Sequence, residues 1–274
     1  MDLSKSLNYS LVFFIVQLNS TMKLLKFSTG NGKLSNRLIF NLPAGYACPH
    51  AGVCKTMADR TTGKITDLPQ YNGTDAAEYR CFAAMAETRP TVRQSRWHNW
   101  DLIRETMYMD GDQATLIHDL IELSLLAQLK HDLIRIHESG DYFTENYMKA
   151  WILAAQEHPD INFYGYTKSL GMWYQLKDLI PSNFYLTASC GGTLDYLIPK
   201  YPDVFKRVAY VVYTEEEAAE RGLSIDHDDS HCLGDKPFAL LVHGSQRAGS
   251  EAMAALTKRK KEGKFVGYGT KNKK

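Results

Sequence analysis

A chain of 274 residues, of which 44% are hydrophobic, can bury one large core, and this length suits a single barrel or a doubly wound sheet. The formal net charge of +1 at pH 7 excludes a global field that would draw the protein to nucleic acid or to a membrane. The apolar run at residues 11–16 is far shorter than the roughly 20 residues that span a bilayer. We therefore expect a cytoplasmic protein with no membrane partner, in which cysteines stay reduced or bind metal.

The two ends of the chain differ in composition from its middle. Residues 1–21 precede a second start-like segment at Met22, and we expect them to be an extension outside the folded core. From Lys258 onward basic residues dominate and Glu262 is the sole acidic residue, so residues 263–274 are expected to form a basic flexible tail. Residues 22–262 are predicted to form a single α/β domain. A contact between the basic tail and nucleic acid stays open as an alternative.

Along the middle of the chain, short apolar segments alternate with helical patterns. Runs rich in β-branched and aromatic residues predict six strands, at residues 37–42, 133–137, 162–167, 184–188, 208–213 and 238–243. Helices are predicted at 75–88, 113–130, 144–157, after a capping box at Thr214 and Glu217, and at 250–261. This alternation favours parallel pairing. The predicted fold class is α/β, with parallel strands and crossover helices in a partial or complete TIM-like barrel; a doubly wound sheet is the alternative.

Polar and small residues directly follow four of the predicted strands, at 138–141, 168–169, 189–192 and 244–246. In parallel α/β folds the carboxyl ends of the strands meet at one face, and binding sites are built there. One such group would be unremarkable, because loops are polar in general. Four of them favour a shared site at that face.

The cysteines give the most specific chemical indication. Cys48 and Cys54 lie on one turn-rich loop after the first predicted strand, and Cys81 begins the next helical segment. Three thiolates could hold an iron–sulfur cluster and leave one iron open. With His50 they could instead form a closed zinc site. The third interpretation is reduced thiols without a ligand; Cys190 and Cys232 are interpreted as bystanders in each case.

Residues 226–231 form a dense ionisable patch of three aspartates and two histidines. His227, Asp228, Asp229 and His231 could bind a hard metal ion or carry out acid–base chemistry. The alternative is a solvated loop with internal turns. A second segment, residues 93–100 (RQSRWHNW), mixes arginines with tryptophans. It could hold phosphates and stack bases, or its tryptophans could pack against the core.

Several motifs occur together in one order along the chain. They are LPAGYACPHAGVC, YRCFAA, SRWHNWDLI, IHESGDYF, YTKS, IDHDDSHC and FALLVHGSQRAGSEA. Together they resemble the phage "gene product 88" domain family, from about Lys23 to Leu256. The resemblance implies a bacteriophage or prophage origin, and hence a host-cell cytoplasm, rather than a particular reaction.

The layout is also distantly similar to radical S-adenosylmethionine enzymes, which have a partial parallel barrel and a cysteine loop after the first strand. In those enzymes three cysteines hold a [4Fe–4S] cluster, and the open iron binds the amine and carboxylate of the cofactor. The resemblance implies that Ser139, Gly140 and Asp141 take the place of the motif that meets the methionyl amine. This chain departs from the pattern because Cys81 lies 27 positions after Cys54, not on the same loop.

These observations lead to one favoured hypothesis and two alternatives. The favoured one is a phage-encoded [4Fe–4S] protein with a barrel like that of radical S-adenosylmethionine (radical-SAM) enzymes. This hypothesis further implies catalysis on a small-molecule substrate. Its metal ligands are Cys48, Cys54 and Cys81, its cofactor-binding residues are Ser139, Gly140, Asp141, Ser189 and His243, and its candidate catalytic residues are Lys168, His227, Asp229 and His231. The first alternative is a metal-dependent hydrolase or nucleic-acid-processing enzyme that uses the patch around His227 to His231. The second is a non-catalytic, zinc-stabilised host-interaction protein.

Overall fold

A mostly parallel seven-stranded sheet forms the centre of the computed structural model, which describes residues 23–30, 34, 37–68, 77–128 and 131–268. The strands are β1 Phe27–Thr29, β2 Leu38–Phe40, β3 Thr56–Ala58, β4 Ile65–Asp67, β5 Leu133–Ile136, β6 Asn162–Thr167, β7 Phe184–Ser189, β8 Val208–Val212 and β9 Phe238–Leu241. The α-helices are α1 Phe82–Ala86, α2 Pro90–Thr106, α3 Gln113–Leu126, α4 Glu145–Glu157, α5 Leu170–Leu176, α6 Leu197–Lys200, α7 Glu215–Glu220 and α8 Glu251–Lys261. Two short 3-10 helices are also described, Lys177–Leu179 and Ser230–Leu233.

The order of the strands in the sheet is β1-β2-β5-β6-β7-β8-β9. β1 pairs antiparallel with β2 at one edge, and every later strand pairs parallel with its predecessor. The six predicted strands are confirmed as the parallel ones. Their order never reverses, as it would in a doubly wound sheet, so right-handed crossovers place the helices on one side. No pairing among the described residues closes the sheet, and a TIM-like barrel is therefore not confirmed.

The helices begin at residues whose side chains cap them. Thr144 accepts a hydrogen bond from the backbone N–H of Tyr147 at the start of α4. Half of the capping box predicted at Thr214 and Glu217 is present at the start of α7, where the Thr214 hydroxyl accepts from the Glu217 N–H at 3.1 Å. The other half is shifted by one residue. The Glu217 carboxylate accepts from the backbone of Tyr213 at 2.7 Å. The predicted helices at 113–130, 144–157 and 250–261 are thus present as α3, α4 and α8. Helix α3 ends at Leu126, earlier than predicted, and residues 129 and 130 lie outside the described part of the chain.

The segment predicted as one helix at residues 75–88 differs from that prediction. Residues 75 and 76 lie outside the described part, and helical structure in the remainder is limited to Phe82–Ala86. The backbone N–H of Glu78 instead donates to the Val53 carbonyl at 2.8 Å, so this stretch pairs with the cysteine loop. The long helix α2, which begins with a proline in its first turn, was not predicted.

The two faces of the sheet have different surroundings. Ile136 and Phe163 belong to the buried core that also contains Trp151 of α4, and the Phe40 and Trp151 rings lie 5.1 Å apart. Because successive side chains in a strand alternate, Arg135 and its register partner Tyr164 point to the opposite face. The segment that contains the 3-10 helix Ser230–Leu233 covers that face.

The ends of the predicted domain fall partly outside the described residues. The predicted extension, 1–21, lies wholly outside them, as do residues 269–274 of the predicted tail. The described part of the tail, residues 263–268, packs on the protein: the Phe265 ring lies 5.2 Å from the ring of His227, and Lys264 Nζ lies 2.9 Å from a carboxylate oxygen of Glu216.

Candidate functional site

The loops that follow β2, β5, β6, β7 and β9 meet at the carboxyl ends of the parallel strands. We call this surface the strand-end face (residues 41–55, 137–143, 167–169, 189–195 and 242–246). The loop that carries Cys48 and Cys54 crosses it. At one end of this loop the Leu42 N–H donates to the Ser139 carbonyl at 2.9 Å, and at the other the Val53 N–H donates to the Gly191 carbonyl at 3.0 Å. The cysteine loop therefore connects the loop after β5 to the loop after β7.

A hairpin between Cys54 and Cys81 returns the chain to the cysteine loop. Strands β3 and β4 pair antiparallel, and the N–H of Leu68 then donates to the Lys55 carbonyl at 3.0 Å. The N–H of Cys81 donates to the Thr56 hydroxyl at 3.3 Å, at the start of the same hairpin. The hairpin therefore accounts for the 27 positions that separate Cys81 from Cys54, because both of its ends lie at the strand-end face.

The Cys81 segment is held on the loop after β9. The backbone N–H of Arg80 donates to the side-chain oxygen of Gln246 at 2.7 Å, and the amide nitrogen of Gln246 donates to the His243 carbonyl at 3.0 Å. The ring of Phe82 lies 4.9 Å from the ring of His243. Cysteine-bearing segments thus contact the loops after β5, β7 and β9.

The three thiols of these segments affect one another. Burial raises the pKa of Cys48 well above its ordinary value, and Asp141, Cys81 and Cys54 raise it further. Burial and the neighbouring Cys54 raise the pKa of Cys81 to about 11, against the opposing effect of backbone N–H groups of α1. The Gly45 N–H also donates to Cys48 Sγ at 3.4 Å. Each of the three cysteines is half-buried as a residue, and their sulfurs form a group of donor atoms near the Asp141 carboxylate.

The spacing of these sulfurs does not match a single-ion site. Within the described residues, no three of Cys48, Cys54, Cys81 and His50 have ligand atoms that all lie within 4.8 Å of one another. A tetrahedral zinc with three thiolates and an imidazole would need that proximity. His50 instead contacts the loop after β7, where its carbonyl accepts from the Thr193 N–H at 3.1 Å. The zinc alternative therefore has no geometric support among the described side chains.

Asp141 joins the ends of two neighbouring strands. Its carboxylate accepts from the Thr167 hydroxyl at 2.6 Å, from the Lys168 N–H at 2.9 Å and from the Tyr142 N–H at 2.7 Å. Burial raises the pKa of Asp141 to about 6, although these hydrogen bonds favour the ionised form. The residue predicted to bind a cofactor is therefore already bonded to protein groups, and its charge contributes to the strand-end face beside Cys48.

Ser139 and Gly140 fit tightly under the cysteine loop. Gly140 has a φ of +90°, and a Cβ atom there would lie 2.7 Å from Leu42 Cβ. Ser139 is buried, and its hydroxyl lies 3.4 Å from Glu87 Oε1. Glu87 was not predicted as part of the site: its carboxylate also accepts from the Ala44 N–H at 2.8 Å and pairs with Arg96 at 2.9 Å. A buried Glu–Arg pair nine residues apart has no sequence pattern that would have indicated it.

Lys168 and Ser189 contact each other across β6 and β7. Lys168 Nζ donates to the Ser189 hydroxyl at 2.7 Å and to the Cys190 carbonyl at 2.8 Å. His243 lies at the other side of the face, where its ring contacts Phe82 and, at 5.3 Å, the ring of Tyr268. The predicted strand-end residues therefore share one face, and each is held by contacts with a neighbouring loop.

Comparison with known proteins identifies the family. Residues 18–265 match the family model of Gene product 88, a range that includes the three cysteines and every strand-end loop. The chain belongs to the Gene product 88 family. The "Gene 88 protein" of Mycobacterium phage L5 is 31% identical and that of Mycobacterium phage D29 is 30% identical, each over 97 residues. These matches cover 32% of this chain and only 38% of each relative, and no solved structure gives a significant match.

The phage family expected from the motifs is thus confirmed, whereas none of these matches shows a similarity to radical S-adenosylmethionine enzymes. Among the described residues of this Gene product 88 protein, no helix is long and apolar enough to cross a bilayer.

In this Gene product 88 chain, the patch at residues 226–231 lies on the other face of the sheet. Asp229 is buried, forms an ion pair with Arg135 and accepts from the Tyr164 hydroxyl at 3.1 Å. His231 Nδ1 lies 3.5 Å from a carboxylate oxygen of Asp226. Within the described residues, no three of the ionisable side chains in this patch have ligand atoms within 4.8 Å of one another. The geometry therefore gives the hydrolase alternative little support.

The arginine- and tryptophan-containing segment of the family member packs inward. It lies within α2, where Arg93, Arg96 and Trp97 are buried. Arg93 donates to the Glu87 carbonyl at 2.6 Å, and Arg96 donates to the Ala83 carbonyl at 2.7 Å. Phosphates would need these guanidinium groups at the surface, so the core interpretation of residues 93–100 fits the structure.

Proposed function

We propose that this Gene product 88 protein is an iron–sulfur protein whose cluster is bound by Cys48, Cys54 and Cys81 at the strand-end face. One observation carries the proposal: the three thiols come from segments that dock on different strand-end loops, and they lie near enough that Cys54 and Cys81 raise the pKa of Cys48 and Cys54 raises that of Cys81. Hydrogen bonds to the sulfurs tune such clusters, and the Gly45 N–H supplies one to Cys48.

The arrangement of charge supports a cationic ligand. Asp141, Cys81 and Cys54 raise the pKa of Cys48, and Cys54 raises the pKa of Cys81, where Arg96 opposes it. Binding to iron would hold the thiols in their ionised form and so oppose the rise in the pKa values of Cys48 and Cys81. In a four-iron cluster each cysteine binds a different iron, so the sulfurs lie farther apart than around one zinc ion. The absence of a three-donor group within 4.8 Å among these cysteines agrees with such a spacing.

The finer proposal is that an iron without a protein ligand faces a small molecule, with S-adenosylmethionine as the candidate. Tyr46 and Phe82 support it, because each is an exposed ring close in sequence to a proposed ligand, Cys48 or Cys81. Exposed aromatic rings can stack on a nucleobase. His243, in contact with Phe82, would flank the same position.

The test is an anaerobic purification followed by a visible absorption spectrum and assays for iron and sulfide. We expect about four iron atoms per chain and a broad absorption band, as for a four-iron cluster bound by cysteine thiolates. A variant with Cys48→Ala, Cys54→Ala and Cys81→Ala should lose both. Cys190→Ala is the matched control, because Cys190 is a half-buried thiol on the same face that is outside the proposed ligand set.

Two results would contradict the proposal. Wild-type protein that stays free of iron after reconstitution would exclude a cluster, and equal loss of iron in Cys190→Ala would contradict the ligand set. The small-molecule step is tested separately by electron paramagnetic resonance of the reduced protein. A spectrum that does not change when S-adenosylmethionine is added would exclude that ligand while leaving the cluster in place.

A further inference from the structure

A second group of metal-ligating side chains lies away from the cysteines, where α3 packs against α4. His118 and Glu122 occupy successive turns of α3, and Glu157 is the last residue of α4. One ligand atom of each of these three residues lies within 4.8 Å of those of the other two. Among the described residues, no other three His, Cys, Asp or Glu side chains come this close together. Because α4 runs from the strand-end face toward the start of β6, Glu157 lies at the opposite end of the sheet from the cysteines.

Two atoms of this group are buried and lack a hydrogen-bond partner among the described residues. They are His118 Nε2 and Glu122 Oε1, and the His118 residue is only 8% exposed. His118 Nε2 lies 3.4 Å from Glu157 Oε2 and 3.9 Å from Glu122 Oε1. Two ligands that are each about 2.0–2.1 Å from a tetrahedral zinc lie roughly 3.3 Å from one another. Both separations are long for hydrogen bonds. The first matches that of two ligands on one zinc ion, and the second is about 0.6 Å longer, a difference that a side-chain rotation can close.

The groups behind these atoms hold them in place. His118 Nδ1 lies 3.2 Å from a carboxylate oxygen of Asp119, so its other ring nitrogen has a carboxylate partner. His158 Nε2 lies 2.7 Å from Glu122 Oε2 and fixes the carboxylate whose other oxygen is unpartnered. Metal-bound histidines and carboxylates usually have such supporting partners, which orient them and select the tautomer.

We propose that His118 Nε2, Glu122 Oε1 and Glu157 Oε2 bind one divalent transition-metal ion, with zinc as the best match to this nitrogen and oxygen donor set. The ion joins α3 to α4 at the end of the sheet remote from the cysteines. Its function is to stabilise the fold, as expected of a site at the amino ends of parallel strands. This proposal does not depend on the cluster proposed above.

The experiment measures zinc binding by the full-length chain by calorimetry, together with Tm, for wild type, Glu157→Gln and Glu105→Gln. Glu157 is exposed, so its loss should leave the metal-free fold intact, and Glu105 on α2 is a matched exposed control. Zinc at about 100 times its dissociation constant should raise the Tm of wild type and Glu105→Gln by roughly 5–10 °C. Glu157→Gln should lose this rise. Asp119→Asn, which removes the carboxylate behind His118, should weaken binding about 10–100-fold.

Cobalt distinguishes this site from the thiols. Cobalt bound by nitrogen and oxygen ligands gives weak visible bands, whereas cobalt bound by thiolates gives strong near-ultraviolet charge transfer. We expect one cobalt of the first kind to remain in the Cys48→Ala, Cys54→Ala, Cys81→Ala variant. No saturable zinc binding in that variant, or equal binding by Glu157→Gln and Glu105→Gln, would overturn the proposal and leave an ion-pair cluster between α3 and α4.

Discussion

At the scale of single residues, neighbouring aspartates of the patch at 226–231 differ in what they contact. Asp229 is buried, has a φ of +63°, and pairs with Arg135 and Tyr164 inside the protein. Asp228 is exposed and accepts from the backbone N–H of Ser230 at 3.0 Å, as a turn residue does. The local sequence presents both as equivalent acids, but only Asp229 compensates a buried charge.

This difference predicts the effect of Asp229→Asn. The amide keeps the size of the side chain and tolerates positive φ, but it removes the ion-pair partner of buried Arg135. Loss of one partner of a buried ion pair usually lowers the free energy of unfolding by about 3–5 kcal/mol. Urea unfolding followed by circular dichroism measures this loss.

Asp228→Asn is the matched control and should lower the free energy of unfolding by no more than about 1 kcal/mol, because a neutral amide can still accept in the turn. Equal losses in both variants would contradict a special structural role for Asp229. A fully stable Asp229→Asn protein that had lost a metal-dependent hydrolytic activity would support the hydrolase alternative, in which Asp229 is a catalytic residue.

At the scale of elements, the hairpin β3–β4 places Cys81 beside the cysteine loop. Thr56 lies at its first strand, is buried, and accepts from the Cys81 N–H at 3.3 Å. Thr66 lies on the second strand and is exposed. Substitution of valine for threonine at each of these two positions therefore distinguishes an effect on the position of Cys81 from an effect on the stability of the hairpin.

Thr56→Val is expected to lower the iron content of the purified protein while costing only about 1–2 kcal/mol of unfolding free energy. The physical reason is that the Cys81 N–H, which belongs to a proposed ligand, loses the acceptor of its partly buried hydrogen bond. Iron assay and urea unfolding of the same preparation give both quantities. Because valine suits strands at least as well as threonine, the change should not weaken the strand itself.

Thr66→Val should leave the iron content unchanged. If Thr56→Val kept its full iron content, the hairpin would not position Cys81 in the way we propose. If both variants lost iron equally, the effect would belong to the stability of the hairpin and not to the hydrogen bond at Cys81.

The sequence predicts the parallel strands well and the hairpin poorly, for physical reasons. Strands buried on both faces form short, nearly continuous apolar runs, and β8 and β9 are of this kind. The hairpin strands have three residues each and lie in a polar, turn-rich stretch, so no period of two is visible. Helix α2 was not predicted because buried arginines interrupt its apolar pattern, and these arginines bond to backbone carbonyls inside the protein.

The location of the candidate site could be predicted from the sequence, but the contacts within it could not. Polar residues after the strands indicate the strand-end face, because parallel strands bring their ends together. The three hydrogen bonds that occupy Asp141 come from separate loops and have no local pattern. The group at His118 was missed for a similar reason: its histidine and Glu122 are four residues apart on one helix, but Glu157 comes from the next.

At the scale of the whole molecule, the sheet separates two regions of different chemistry. The thiols lie at the carboxyl ends of the strands, where parallel α/β proteins carry their ligands, and the group at His118 lies toward the amino ends. Three separate thiolates suit an iron–sulfur cluster, whereas one imidazole nitrogen with two carboxylate oxygens suits a single zinc ion. The two proposed metal sites therefore differ in both position and ligand type. Substitution of the ligands at one site should leave the metal at the other site bound.

The segment at residues 263–268 connects the strand-end face with the patch on the other side of the sheet. The Phe265 ring lies 5.2 Å from His227 and 4.8 Å from the ring of Tyr268, which in turn contacts His243. Lys264 is held by Glu216 at 2.9 Å. Phe265 also packs on the apolar cluster that contains Ala239 and Leu241 of β9. The outer edge of β9 is itself paired with the segment before the patch, because the Ala239 N–H donates to the Ser224 carbonyl at 2.8 Å and the Asp226 N–H donates to the Ala239 carbonyl at 2.9 Å.

Phe265→Ala is expected to lower the free energy of unfolding by about 1–2 kcal/mol, less than the 3–5 kcal/mol typical of a fully buried phenylalanine, because Phe265 is only half-buried. It should also speed hydrogen exchange in the segment around His227 and at the loop after β9, since both lose the ring that packs on them. Tyr108→Ala is the control, because Tyr108 is 77% exposed in the turn that follows α2. It should change the free energy of unfolding by no more than about 0.5 kcal/mol and leave exchange at both sites unchanged. Unchanged exchange at both sites in Phe265→Ala would mean that the segment lies on the surface without stabilising either region. Faster exchange at both sites together would show that one ring couples the strand-end face to the opposite face of the sheet.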